Sequence, residues 1–232
     1  MKRRLQHPSC LPRVSGLVGL AALLTIAFAT GVRPAWAVFP PIDREPSPPP
    51  RVTLISDSVA AALLWHPDAR AYLAEGLDFR LEALACRKLI APGCFAYGGN
   101  PPSALETIRT LGTELGPLVV IDVGYNDRPD EYAAGLDMVM QALVDAHVER
   151  VIWVTLNEHE DVWVQNNATI RDAPKRWQQL AVADWAPLAA ENPAWFSDLV
   201  HLNADGAAGF AHFLRPIILA ALPSCGRTCD VA

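Results

Sequence analysis

Beyond residue 37 the chain has no run of basic side chains. The first 37 residues hold five of the 19 lysines and arginines and none of the 25 aspartates and glutamates. Residues 38–232 therefore carry 14 basic against 25 acidic residues, a net charge of −11. A surface of that sign repels phosphate backbones and anionic headgroups, so nucleic acid is excluded as a partner and the processed chain has no membrane to bind. Internal repeats are also absent, which leaves room for one sizeable domain. Cysteine is scarce, with five among 232 residues. The seven residues between Cys86 and Cys94 and the three between Cys225 and Cys229 do not match the short double spacing of a four-cysteine zinc site.

One long apolar run is present, at the start. MKRRLQHPSCLPR is basic, Gly16 to Val32 is uncharged and mostly apolar, and Ala35-Trp36-Ala37 offers a small-x-small cleavage site. That order predicts an export signal over 1–37 and an extracytoplasmic, secreted or periplasmic protein. Its 17 residues sit at the lower limit for a membrane span, so an uncleaved anchor is the alternative. Arg3-Arg4 lacks the remainder of a twin-arginine motif. Export suits the cysteines: without Cys10, which lies in the signal, four remain, and short loops favour Cys86–Cys94 and Cys225–Cys229 among the three possible pairings. Residues 38–50 include PPIDREPSPPP, an extended proline-rich linker. The domain is expected over 51–223, followed by a tail (224–232) that carries the second cysteine pair.

Within the domain, short apolar runs alternate with longer helical patterns. Strands are predicted at 52–55, 79–85, 118–123, 150–155 and 180–184, and helices near 59–64, 103–111, 130–146, 162–177 and 205–222. Ser103-Ala104-Leu105-Glu106 is a capping box after Pro101-Pro102. VVIDV and VIWVT read as strands buried on both faces. Five strands alternating with helices predict a parallel sheet covered on both sides, with chemistry at the carboxyl ends of the strands.

Polar islands fall at those ends. LISDS (54–58) closes the first strand on Ser58, whose hydroxyl is either a cap or a nucleophile needing a base, an orienting acid and oxyanion donors. Of five histidines after the signal, His66, His147, His159 and His212 have bland placements at helix ends, in a charged loop or inside a helix. His201, in WFSDLVHLNADG, has Asp198 three residues upstream, close enough to orient its ring if the loop turns between them. VVIDVGYND (119–127) places Asn126 after the third strand, as an amide donor or as a turn residue. AYGGN (96–100) supplies glycine after the second strand, for a close backbone N–H or simply a tight turn.

These blocks resemble those of the SGNH, or GDSL-type, hydrolases: Ser-Asp-Ser, a glycine, Gly-Tyr-Asn-Asp and Asp-x-x-His, in that order over about 170 residues. The resemblance implies a three-layer α/β/α sandwich with a flavodoxin-like five-stranded parallel sheet and a serine ester hydrolase. It casts Ser58, His201 and Asp198 as nucleophile, base and orienting acid. The oxyanion hole would comprise Asn126 and the N–H groups of Ser58 and Gly98, with Gly99 as the alternative to Gly98. Two positions depart from the pattern: Ser56 stands where the first block begins with glycine, and Leu199 where the last commonly has one. Gly-x-Ser-x-Gly is absent, which argues against the other large α/β esterase fold.

The implied activity is hydrolysis of carboxylic esters through an acyl-enzyme, without metal or cofactor, on a small-molecule ester or an acylated glycan. The resemblance does not select the acyl group, and the absence of an inserted lid-like apolar segment points to short-chain esters. An O-acyltransferase acting on a cell-wall or extracellular glycan and a catalytically silent binding module are the alternatives. Trp153, Trp163, Trp195 and Phe196 are candidates to line an acyl or sugar pocket, although large rings more often serve packing.

Overall fold

In the computed structural model, residues 48–95 and 98–222 are described. The predicted signal, most of the proline-rich linker and the Cys225–Cys229 pair lie outside the described residues. Residues 48–50 of the linker are exposed and without regular structure.

Among the described residues five strands form, β1 (Arg51–Ser56), β2 (Asp78–Ala83), β3 (Leu118–Asp122), β4 (Arg150–Val154) and β5 (Leu180–Ala183). They pair in parallel in the order β2-β1-β3-β4-β5. The same residues form seven helices: α1 (Ala62–Trp65), α2 (Pro67–Ala74), α3 (Ala104–Leu111), α4 (Pro129–Asp145), α5 (Asp161–Asp172), α6 (Ala186–Glu191) and α7 (Ala204–Ala221). Side chains of successive strand residues point to opposite faces, and the apolar strands divide accordingly. Val52, Leu54, Leu118, Val120, Ile152 and Val154 pack with Leu63 of α1, Leu73 of α2, Ala189 of α6 and Phe210 and Leu214 of α7. Ile55, Val119, Ile121, Val151 and Trp153 pack with Ile108 of α3, Leu136 and Val139 of α4 and Ile170 of α5. The result is the three-layer α/β/α sandwich with flavodoxin-like strand order. Among the described residues no helix is long and apolar enough to cross a membrane.

The five strands fall where the sequence places them, within two residues. The helices differ more. The helix expected from residue 59 begins at Ala62, because residues 57–61 are held in a turn by the Asp57 carboxylate. That expected to run to 177 ends at Asp172 and continues as a tighter turn over Ala173–Lys175, where Pro174 has no N–H for the helical ladder. Helices α2 and α6 are absent from the sequence-based assignment. Ser103 does cap α3: its Oγ accepts from Glu106 N at 3.1 Å, and the Glu106 carboxylate accepts from Ser103 N at 2.8 Å.

Candidate active site

At the end of β1 the backbone is fixed from both sides. The Ser56 carbonyl accepts from Leu84 N at 3.2 Å, and Asp57 N donates to the Asp122 carbonyl at 3.2 Å. The Asp57 carboxylate bends the chain, accepting from Val59 N at 3.1 Å and from Gly124 N and Tyr125 N at 3.4 Å each. Ser58 sits on this bend, half-buried. Ser56, in the resembled family's glycine position, does not have positive φ, and nor does Leu199. The Ser56 hydroxyl has its own role: it donates to Asp122 Oδ2 at 2.8 Å and accepts from Ala60 N at 3.2 Å.

The second half of the site is the loop before α7. It closes on itself through an antiparallel bridge between Phe196 and Leu202 and a 2.8 Å bond from Ser197 N to the His201 carbonyl. Within it, Asp198 Oδ1 accepts from the N–H groups of Val200 and His201, both at 2.7 Å. Asn157 Nδ2 donates to the Leu199 carbonyl at 3.2 Å, pinning the loop to the chain after β4. This turn is what lets residues three apart meet. His201 Nδ1 lies 2.7 Å from Asp198 Oδ2, and His201 Nε2 lies 3.0 Å from Ser58 Oγ. With the proton on Nδ1, the Nε2 lone pair faces the serine hydroxyl. The two backbone and ring donors of His201, followed by Val200 N–H, hold the Asp198 carboxyl down at about 2. Both side chains are about half exposed, His201 at 51% and Asp198 at 55%.

A groove of about 470 Å³ opens beside Ser58 and His201, walled by Ala61, Leu64, Trp65, Leu84 and Leu202. Trp65, 76% exposed, forms its rim. Gly98 and Gly99 line a neighbouring hollow that shares Leu84 and Ala85 with the groove. Gly98 has φ +92°, with open space where a side chain would stand, a conformation that favours glycine. Asn126 is half-buried, and its Nδ2 donates to the Arg87 carbonyl at 3.2 Å, which occupies one of its two amide hydrogens.

Three carboxyls are buried behind the site. Burial, then the charge of Asp122, pushes Asp57 up, and burial pushes Asp122 up against the opposing Ser56 hydroxyl. Burial raises Asp127 to about 6, opposed by its bonds from Leu89 N. The aromatic residues singled out in the sequence do not form the groove wall. Trp153 is wholly buried and donates to Tyr132 Oη at 3.2 Å, Trp163 donates to the Tyr125 carbonyl at 3.2 Å, and Trp195 stacks on Trp185. The groove's aromatic residue, Trp65, has no signal in the sequence beyond its proximity to Ser58. Cys86 and Cys94 form a disulfide with Cα atoms 5.3 Å apart. Among the described residues no group of three or more His, Cys, Asp and Glu side chains is placed to hold a metal ion.

No family model matches the chain, and no curated protein matches it in sequence. Solved structures do match in fold. A psychrotrophic esterase from Pseudoalteromonas sp., in a structure inhibited by monoethylphosphonate, superposes with a TM-score of 0.55 at 13% identity, over 73% of this chain and 97% of that one. A putative arylesterase from Agrobacterium tumefaciens str. C58 gives 0.58 at 16%, over 75% and 100%. A carbohydrate acetylesterase family member from Sinorhizobium meliloti gives 0.53 at 15%, over 75% and 99%. The sandwich is the fold of these esterases.

Proposed function

We propose that the chain is an exported serine ester hydrolase of the SGNH type, cleaving carboxylic esters through an acyl-enzyme on Ser58. The observation that carries this reading is the continuous row Asp198–His201–Ser58, with 2.7 Å and 3.0 Å separations. A serine hydroxyl is unreactive without a base. Here His201 Nε2 takes the Ser58 proton as Oγ attacks the ester carbonyl carbon, and Asp198, ionised, supports the imidazolium. The tetrahedral oxyanion is held by Ser58 N–H, Gly98 N–H and the second amide hydrogen of Asn126. As the intermediate collapses, the C–O bond to the alcohol breaks and the alcohol leaves with the proton from Nε2. Water then gives a proton to Nε2, attacks the acyl-enzyme and releases the carboxylic acid, restoring the serine. The apolar walls of the groove favour an ester with an apolar acyl group, and the lack of an inserted lid-like apolar segment favours a short one. The structural likeness to arylesterases and acetylesterases supports a small ester or an acetylated carbohydrate. Export is supported by the disulfide, which persists in an oxidising compartment.

Acyl transfer to a glycan hydroxyl is the second reading. It uses the same acyl-enzyme, and the half-exposed triad leaves room for an acceptor larger than water. The silent-module reading drew on Ser56 and Leu199, whose backbone is ordinary. The test is Ser58→Ala against an aryl acetate: hydrolysis should fall to background while circular dichroism is unchanged. Unchanged hydrolysis would sink the proposal. Asn126→Ala should lower turnover by roughly a hundredfold to a thousandfold.

A further inference from the structure

Arg87 follows the disulfide cysteine Cys86, in the sequence ACRKL. Lys and Arg side chains seldom lie fully inside a protein, and a buried charge is costly unless it is paired. Arg87 is 0% exposed. No carboxylate of the described residues bonds it. Nε donates to the Pro102 carbonyl at 3.1 Å, Nη1 donates to the Ser56 carbonyl at 3.2 Å and to the Glu82 carbonyl, and Nη2 is buried without a partner among the described residues. Burial lowers the guanidinium to about 10, against the charges of Glu82 and Asp57. The group therefore remains a cation at neutral pH.

The three carbonyls belong to three different segments, and two of these segments carry donors of the oxyanion hole. Ser56 lies two residues before Ser58 on the same bend. Pro102 ends the stretch that carries Gly98. Glu82 is on β2, the edge strand that anchors the guanidinium. The fourth link runs through the main chain, since the Arg87 carbonyl accepts from Asn126 Nδ2 at 3.2 Å. One residue thus ties the backbone before the nucleophile, the glycine loop and the asparagine amide together. A lysine has the charge but not the planar fork that reaches three carbonyls at once.

We propose that Arg87 is a positioning residue for the oxyanion hole, its buried guanidinium fork and its own carbonyl fixing the donors from Ser58, Gly98 and Asn126 in one geometry. The inference rests on the hydrolase reading above. A donor displaced by a fraction of an ångström still permits substrate to bind but stabilises the developing charge less. The loss therefore falls on kcat rather than on KM.

The experiment compares Arg87→Lys and Arg87→Met with the unaltered chain, measuring kcat and KM for an aryl acetate. Turnover is expressed per Ser58 titrated with a phosphonofluoridate, so that only folded, reactive molecules count. The expected result is a fall in kcat of roughly tenfold to a hundredfold, the range in which partial loss of an oxyanion donor belongs, with KM changed little. Adding Asn126→Ala to Arg87→Lys should then cost much less than Asn126→Ala alone, because the lysine variant has already misplaced that amide. A purely structural Arg87 would lower the titratable fraction and the melting temperature while leaving turnover per titrated serine intact, and that result overturns the inference. Full additivity with Asn126→Ala overturns it as well. Ser58→Ala is assayed in parallel. Activity surviving there removes the hydrolase reading itself, whereas an inactive Ser58→Ala with fully active Arg87→Lys removes only the role of Arg87.

Discussion

Replacing Ser56 with glycine, the residue that the resembled first block carries there, asks what its hydroxyl contributes. The Oγ donates to Asp122 Oδ2 at 2.8 Å and accepts from Ala60 N, in a site with no solvent exposure. When Asp122 is ionised, the lost bond to a charged acceptor costs about 1.5–3 kcal/mol, and when it is protonated about 0.5–1.5 kcal/mol. Glycine within a strand adds about 0.5–1 kcal/mol. The substitution should therefore destabilise by about 2–4 kcal/mol at pH 8 and by about 1–2.5 kcal/mol at pH 5. The sign follows from linkage. Asp122 and Asp57 both lie above their unfolded values, so the native state binds more protons and its stability declines as pH rises through the interval between unfolded and folded values. Removing the hydroxyl that favours the Asp122 carboxylate raises Asp122 further and steepens that decline. Urea denaturation followed by tryptophan fluorescence at the two pH values measures it, with the midpoint dropping by about 1 M at pH 8 for a slope near 2–3 kcal/mol/M. In an Asp122→Asn background the pH contrast should vanish. A loss of the same size at pH 5 and pH 8 in the otherwise unaltered chain would refute the reasoning.

Three further outcomes are expected. Replacing Cys86 and Cys94 with serine opens a loop of sequence separation 8, and chain entropy sets the cost at about 2.5 kcal/mol, read as a fall in denaturation midpoint. Ser103→Ala removes the α3 cap and should cost about 1 kcal/mol with activity retained; an unchanged melting temperature would show the cap to be idle. Along the groove, kcat/KM for p-nitrophenyl esters should rise from acetate to butyrate by up to about fourfold per methylene. Trp65→Ala should flatten that rise, and an equally steep series in the variant would remove Trp65 from the acyl path.

The sheet was legible chiefly through β1, β3 and β4, whose short apolar runs are what strands buried on both faces need, while the edge strand β2, DFRLEA, is only partly buried. The polar islands were legible for the complementary reason: Ser58 and Asn126 interrupt apolar sequence just after β1 and β3, and Asp198 and His201 stand together in the loop before α7. Helix α2 was hidden because it buries only Ala69 and Leu73, and α6 because it spans six residues and buries only two alanines. Asp122 was overlooked for the opposite cause: VVIDV reads as an apolar strand, and a carboxyl that is hydrogen-bonded out of water leaves no mark on that pattern. Arg87 looks like a surface arginine beside Lys88. Only three-dimensional packing distinguishes it, since nothing in ACRKL says that three carbonyls from distant segments will meet around it.

The half-exposed imidazole and carboxylate have a chemical corollary. If Ser58 carries an acyl group as proposed, the base and acid beside it stand half in solvent, and water would reach the ester carbonyl as readily as any other nucleophile. An alcohol acceptor would win that competition only by residence, stacked or hydrogen-bonded at the rim for longer than the acyl group survives. The balance between breaking an ester and moving it would then depend on how tightly the rim retains its visitor, with Trp65 as the flat surface available for the purpose.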